Sequence, residues 1–188
     1  MTEDAHRPDG DLIAAVGAGG SAAGPAWREL VARHSPRLFA VARSFRLDAA
    51  TAEDLVQTAW LRLLERTHQL RDHDAVGPWL CAVVRNEARR IVVRRREIPT
   101  VLDLEQRPDP TGDVDARTLE TEQASALRIA FARLGEDCRQ LLQLSLAEPP
   151  LSYDEIAAAT GRPRGSLGPT RRRCLEQLRL RLPAGFER

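Results

Sequence analysis

Apolar residues recur at Trp27, Leu30 and Val31, and again at Leu38, Val41, Ala42 and Phe45, in the three- and four-residue steps of a helix face. Between the two groups, Ser35-Pro36 reads as an N-cap followed by a proline at the first helical position, so the spacing predicts two helices meeting there. Thr51-Ala-Glu-Asp54 has the form of a capping box with Asp in the third place and predicts the start of the next helix. Its apolar stripe is Leu55, Val56, Ala59, Trp60, Leu63 and Leu64, with Glu53, Asp54, Gln57 and Leu61 off the stripe. A polar loop, THQLRDHDAVG, leads to Pro78, from which a helix is predicted to run to about Arg96. Trp79, Leu80, Val83, Val84, Ala88 and Ile91 form one face of it, while Arg85, Asn86, Arg89, Arg90 and the run Arg94-Arg95-Arg96 gather elsewhere. Only Glu87 lies among these cations, and cations crowded on a half-buried helix repel one another unless an anion is bound; nucleic acid fits.

Two more helices are predicted over 127–134 and 141–146. Twenty residues from Tyr153 then satisfy the geometry of a helix-turn-helix. A small residue, Ala157, falls at the fifth position, where the helices cross. Gly161 falls at the ninth, where the turn is left-handed, and Leu167 at the fifteenth, an apolar anchor. Ser152-x-x-Glu155 is a full capping box for the first helix, and Ile156, Leu175 and Leu178 are expected to complete a small core. Pro169 argues for a second helix that starts late, at Ser166, with the proline in its first turn. Arg164, Ser166, Gly168 and Thr170 would then face a major groove, with Arg162 at the turn and Arg171, Arg172 and Arg173 toward groove edges or phosphates.

Charge divides the chain. The net of +1 conceals a basic block over 25–96, an acidic stretch over 97–123 and a second basic block over 124–188, and every basic residue is Arg. With three prolines and many acids between Glu97 and Glu120, the acidic stretch reads as an extended linker. The expected organisation is all-α: a mobile N-terminal arm over 1–24, a helical domain over 25–96, a flexible acidic linker over 97–123, a helix-turn-helix domain over 124–182 and a tail over 183–188. Aromatic residues at 4% suit small helical units.

Cys81, Cys138 and Cys174 match neither a zinc-ligand spacing nor a CxxC motif, and they read as small hydrophobes on helix faces, with thiol sensing or metal binding the minority alternative. Neither the cysteines nor the four scattered histidines form a catalytic constellation, so no enzymatic activity, metal or cofactor is expected. No run reaches the length of a membrane span, and MTEDAHRPDGD lacks the regions of a signal peptide, so a cytoplasmic protein without membrane insertion is expected. With only PAGFER after the last helix, no regulatory extension is expected either.

The segments SPRLFAVARSF, AEDLVQTAWLRLLE, WLCAVVRNEARRIVVRRR and LSYDEIAAATGRPRGSLGPTRRRCLEQLR, in that order over about residues 25–182, resemble the extracytoplasmic-function (group 4) sigma factors of bacterial RNA polymerase. The resemblance implies a σ2-like bundle and a σ4-like helix-turn-helix, a promoter-specificity subunit with no chemistry of its own. It implies that Glu53, Asp54, Leu55, Gln57 and Leu61 contact the β′ clamp coiled coil of the core polymerase, with the β flap a second site on the core enzyme. The loop from Leu70 to Ala75, with Asp72 and His73, would receive a flipped base of the minus-ten element, whose opening Arg85, Asn86, Arg89 and Arg90 would assist. The residues from Arg162 to Arg173 would read the minus-thirty-five element, and the linker, with Asp109, Asp113 and Asp115, would run through the polymerase channels. An anti-sigma factor is an expected partner of many members. The competing reading is a freestanding helix-turn-helix regulator, which needs no AEDLVQ segment and no core polymerase.

Overall fold

The computed structural model describes residues 7–67, 75–97, 122–183 and 186. The acidic segment 98–121 and the loop residues Asp72 and His73 lie outside the described residues, as does the side chain of Arg96. All regular structure among the described residues is helical: α1 (Asp9–Ala18), α2 (Ala23–Arg43), α3 (Ala49–Arg66), α4 (Val76–Glu97), α5 (Glu122–Ala132), α6 (Glu136–Ser145), α7 (Tyr153–Thr160) and α8 (Arg164–Arg179).

Three boundaries differ from the sequence expectation, each for a local reason. Residues 9–18, expected in a mobile arm, form α1, whose Leu12 and Ile13 are fully buried against α2. Polar ties add to this: Asp9 accepts from Arg33, and its Oδ2 lies 2.7 Å from His34 Nε2. Burial works to raise the Asp9 pKa, but the hydrogen bonds and charges of His34 and Arg33 outweigh it and leave the carboxyl lowered.

Pro36 does not divide two helices; α2 runs through it. Buried Ala26, Leu30, His34, Leu38 and Val41 continue one stripe across the proline, so packing carries the helix over a single missing hydrogen bond. Ser35 does not cap; its Oγ accepts from Trp60 Nε1 at 3.2 Å, and the Arg37 guanidinium donates to the Arg33 carbonyl at 2.8 Å. Trp60 in turn meets Trp27 edge-on, ring centroids 5.2 Å apart. The N-cap of α3 is Asp48, three residues before the expected Thr51. Asp48 accepts from the Thr51 backbone N–H and from its hydroxyl, both at 2.8 Å, and the first of these chiefly holds its carboxyl down to about 2.

Helices α1 to α4 enclose the main apolar core, which does not stop at their boundary. Leu141, Leu144, Leu151, Ile156, Ala159 and Leu167 of the second unit belong to the same buried cluster, and α7 lies along α4. Polar contacts follow the seam: Gln140 Nε2 donates to Ser44 Oγ at 3.1 Å, and Arg37 Nε donates to the Pro150 carbonyl at 3.1 Å. A second, smaller cluster of Leu134, Leu142 and Cys174 sits beneath α5, α6 and α8, flanked by Phe131, Cys138 and Leu178.

The cysteines behave in two ways. Cys81 is a fully buried small hydrophobe, as expected; burial pushes its thiol well up, with the Glu155 charge adding to the effect. Cys138 and Cys174, read as the same kind of residue, are joined by a disulfide instead. They are 36 residues apart in sequence, so only the packing of α8 on α6 brings them together. The described residues contain no cluster of three or more metal-ligating side chains, and no helix is long and apolar enough to cross a membrane.

Candidate nucleic-acid interface

The helix-turn-helix is assembled by local chemistry. Ser152 Oγ accepts from the Glu155 N–H at 3.2 Å while Glu155 Oε2 accepts from the Ser152 N–H at 2.7 Å, closing the capping box that starts α7. The helix stops at Gly161, which has φ 71°, and its N–H returns to the Ala157 carbonyl at 2.8 Å. Three residues later α8 begins at Arg164, not at Ser166, so Pro169 lies in the sixth position of the helix. The helix tolerates it because the hydrogen bond the proline withholds belongs to Gly165, four residues back on an exposed surface where water can serve the carbonyl. Gly165 and Gly168 have open space where a Cβ would stand.

Leu167 anchors the front of α8 in the main core. Leu175 does not join a core as expected; it is 49% exposed, and Cys174 occupies the inward position with Leu178 beside it. The outward stripe of α8 therefore runs through Gly168, Arg171, Arg172, Leu175 and Arg179, which line a shallow groove of about 330 Å³. Sequence reasoning missed Leu175 and Arg179 on this face, although their steps of four from Arg171 carry the signal. Arg171 is exposed, with no ion pair to a described residue; Arg164 pairs with Asp154 at 2.7 Å, Arg162 with Asp137, and Arg172 with Glu176 at 3.4 Å. Ser166 Oγ donates to the Pro163 carbonyl, and Arg173 donates to Thr170 Oγ1.

On α4, Asn86, Arg89 and Arg90 are exposed and Arg85 is half-exposed. Glu87 is shared by Arg62 at 2.7 Å and Arg90 at 2.8 Å, while Arg89 and Arg94 make no ion pair with a described residue. Arg85 donates to the Asn86 side chain at 2.9 Å and extends beneath the turn of the helix-turn-helix, where a Cβ on Gly161 would run into its guanidinium. The basic face of α4 is thus partly roofed by the unit that carries α8.

The remaining candidates lie on α3. Glu53, Asp54 and Gln57 are exposed, and Leu61 is 54% exposed. Leu55 is 3% exposed; it faces the core and supports the helix from inside rather than offering a surface. Leu64, read as part of the inward stripe, is 45% exposed and extends the outer face of Gln57 and Leu61 by another turn.

Residues 30–98 match the family model for sigma-70 region 2. Over these residues the chain is similar to the sigma-70 family. The relatives it resembles are RNA polymerase sigma factors, one of them of the extracytoplasmic-function branch. It is 28% identical over 184 residues to the ECF RNA polymerase sigma factor SigE of Mycolicibacterium smegmatis, covering 94% of this chain and 69% of that protein. It is 28% identical over 157 residues to the RNA polymerase sigma factor CarQ of Myxococcus xanthus, covering 82% of this chain and 87% of CarQ. A 127-residue match at 29% identity to a probable RNA polymerase sigma factor, RfaY of Xanthomonas campestris, covers 65% of this chain and only about a third, 32%, of RfaY. The fold is that of CnrH, solved in complex with the cytosolic domain of CnrY, at a TM-score of 0.60 and 20% identity over 93% of this chain and 96% of that one. It is also that of RpoE from Bartonella quintana, solved with the anti-sigma factor NepR, at a TM-score of 0.56 and 21% identity over 82% of this chain and 94% of that one.

Proposed function

We propose that this sigma factor docks on core RNA polymerase, recognises the minus-ten and minus-thirty-five promoter elements and directs initiation, contributing no chemistry of its own. The observation that carries the reading is the presence on one chain of two exposed basic helix faces. One is on α4, inside the region-2 match, and the other on α8 of a capped helix-turn-helix. Arg85, Asn86, Arg89 and Arg90 serve the minus-ten element, with Asp72 and His73 on the neighbouring loop. Arg162, Arg164, Ser166, Gly168, Thr170, Arg171, Arg172 and Arg173 serve the minus-thirty-five element. Glu53, Asp54, Gln57 and Leu61 meet the β′ clamp coiled coil, with Leu55 holding that helix in shape, and the second unit meets the β flap.

Because Arg85 runs under Gly161, DNA reaches α4 through Arg85 only after α7 has moved off it. The resting form is therefore closed and the promoter-bound form open, and an anti-sigma factor is the partner expected to hold the protein inactive. CnrH and RpoE were each solved with a partner chain, in the second case an anti-sigma factor, which supports a partner of that kind. The site of action is the cytoplasm, where the polymerase works.

The deciding experiment is run-off transcription from fragmented genomic DNA of the source organism by purified core polymerase, with and without the protein. Discrete transcripts that require the protein establish the reading. A protein that binds DNA fragments but neither core enzyme nor any promoter in this assay is a freestanding regulator.

A further inference from the structure

The disulfide between Cys138 and Cys174 has no place in the function proposed above, yet it crosses the helix offered to DNA. Cys174 stands directly after Arg171-Arg172-Arg173 on α8, and Cys138 lies in the first turn of α6. The two sulfurs are unequally accessible. Cys174 is 1% exposed among Leu134, Leu142 and Leu178, whereas Cys138 is half-buried at the edge of that cluster. Near it are Glu136 and Asp137 of its own turn, Arg139 beside it, and Arg162, which pairs with Asp137.

The contrast with Cys81 is chemical as well as spatial. Cys81 is sealed in the main core, its thiol pushed up by burial, and it meets neither reductant nor oxidant. The bonded pair instead belongs to a small cluster whose buried members among the described residues are Leu134, Leu142 and Cys174 itself, so the covalent link is a large part of what holds the rear of α8 to α6. Leu167 fixes the front of α8 in the main core by other means.

We propose that Cys138–Cys174 is a thiol–disulfide exchange site whose oxidation state sets how firmly α8 is presented to DNA, with small dithiols and dithiol proteins as its reductants. The inference rests on the sigma-factor reading, because a polymerase subunit works where thiols are kept reduced and a disulfide there is an exchanging one. In the reductive direction, a thiolate of the dithiol attacks Cys138 Sγ, the reachable sulfur. The Cys138–Cys174 bond breaks as a bond from Cys138 to the reagent forms, and Cys174 leaves and takes a proton. The second thiolate of the reagent then attacks its own mixed-disulfide sulfur and expels Cys138, which takes the other proton. Two electrons and two protons pass from dithiol to protein, the reagent ends as its disulfide, and oxidation retraces the path. Reduction frees the rear of α8, which then rests on the small apolar cluster alone, while α1 to α4 keep their own core.

The test uses the full chain. Native protein is labelled with a maleimide and weighed before and after incubation with dithiothreitol. No label is expected before and two after, at Cys138 and Cys174, with Cys81 unlabelled throughout. Two labels before reduction, or none after it, overturn the site. Run-off transcription with core polymerase is then compared for the two forms. The oxidised form is expected to yield about fivefold more transcript, the low end of ordinary coupling between sites, and Cys138→Ala to give the reduced level in both conditions. Equal or reversed yields from forms shown by mass to differ at this bond overturn the regulatory role. Absence of transcript in both forms defeats the sigma-factor reading instead, and the mass measurement still decides whether the bond exchanges.

Discussion

Helices α1 to α4 and helices α5 to α8 hold together differently. The first four close on a broad apolar core of their own, stitched by the Trp27–Trp60 pair and by the ties from Asp9 to Arg33 and His34. The last four have a cluster of three buried residues, one of them Cys174 of the disulfide, and they lean the rest of their apolar surface on the first unit. Small helical units bury too little surface to be secure alone. The difference shows that the second unit meets this deficit by covalent linkage and by borrowed packing.

The strongest way to break this contrast is to damage the shared core. Leu63 of α3 is fully buried, and Leu63→Ala is expected to cost about 3 to 4 kcal/mol. Because α7 leans on that core, circular dichroism and near-surface fluorescence probes on the two units should fall together in a urea melt. Separate transitions would contradict a core held in common. Reducing the disulfide is expected to cost about 3 to 4 kcal/mol, as closure of a loop between residues 36 apart implies. Here the loss should concentrate in the amide exchange of α5, α6 and α8; an equal rise in exchange across α1 to α4 would erase the distinction between the units.

A smaller change addresses the seam. A Cβ on Gly77 would stand 2.8 Å from Glu155 Oε1 and 3.3 Å from His34 Cε1, and Glu155 is held in place by its bond to the Ser152 N–H. Gly77→Ala therefore wedges α4 from α7 at a cost of about 1 kcal/mol to the closed form, the value of one displaced hydrogen bond. The radius of gyration in solution should rise; an unchanged radius with wild-type stability would mean that the seam absorbs the methyl group. The smallest effect concerns a single cap. The folded-state pKa of Asp48, about 2, lies below the ordinary 3.8, so its contribution is full above about pH 4 and is lost as pH falls toward 2. Asp48 is half exposed, so solvent reduces that contribution to about 1 kcal/mol, in the usual range for an N-cap. Stability measured against Asp48→Asn should converge with wild type at low pH, and a gap that stays constant from pH 5 to pH 2 would remove the cap from the account.

What could be read in the sequence follows the range of the physics involved. The capping box of α7 and the left-handed turn at Gly161 are settled within a few residues, and they stood in the sequence as they stand in the fold. So did the inward and outward faces of α4, because a helix period needs no knowledge of its partner. Pro36 misled because its local cost is overridden by a stripe of buried residues on either side of it. Residues 9–18 misled because Leu12 and Ile13 are too short a pattern to announce a helix until α2 is there to receive them. Pro169 pointed to a late start for α8, but an exposed glycine four residues back makes the earlier start inexpensive. The pairing of Cys138 with Cys174 spans α6 to α8 and has no local signature at all.

The double allegiance of α7 has a practical consequence for building hybrids. By sequence it is the first helix of a module that looks portable, yet Ile156 and Ala159 on its inner side complete the floor shared with α4. On the function proposed above, exchanging residues 122–183 for a relative's counterpart would alter promoter preference and, in the same stroke, change what covers Arg85. On that reading a chimaera made to retarget the protein would also disturb the seam over α4, and libraries meant to vary DNA preference alone should keep the α7 surface and diversify only Gly168, Arg171, Arg172, Leu175 and Arg179.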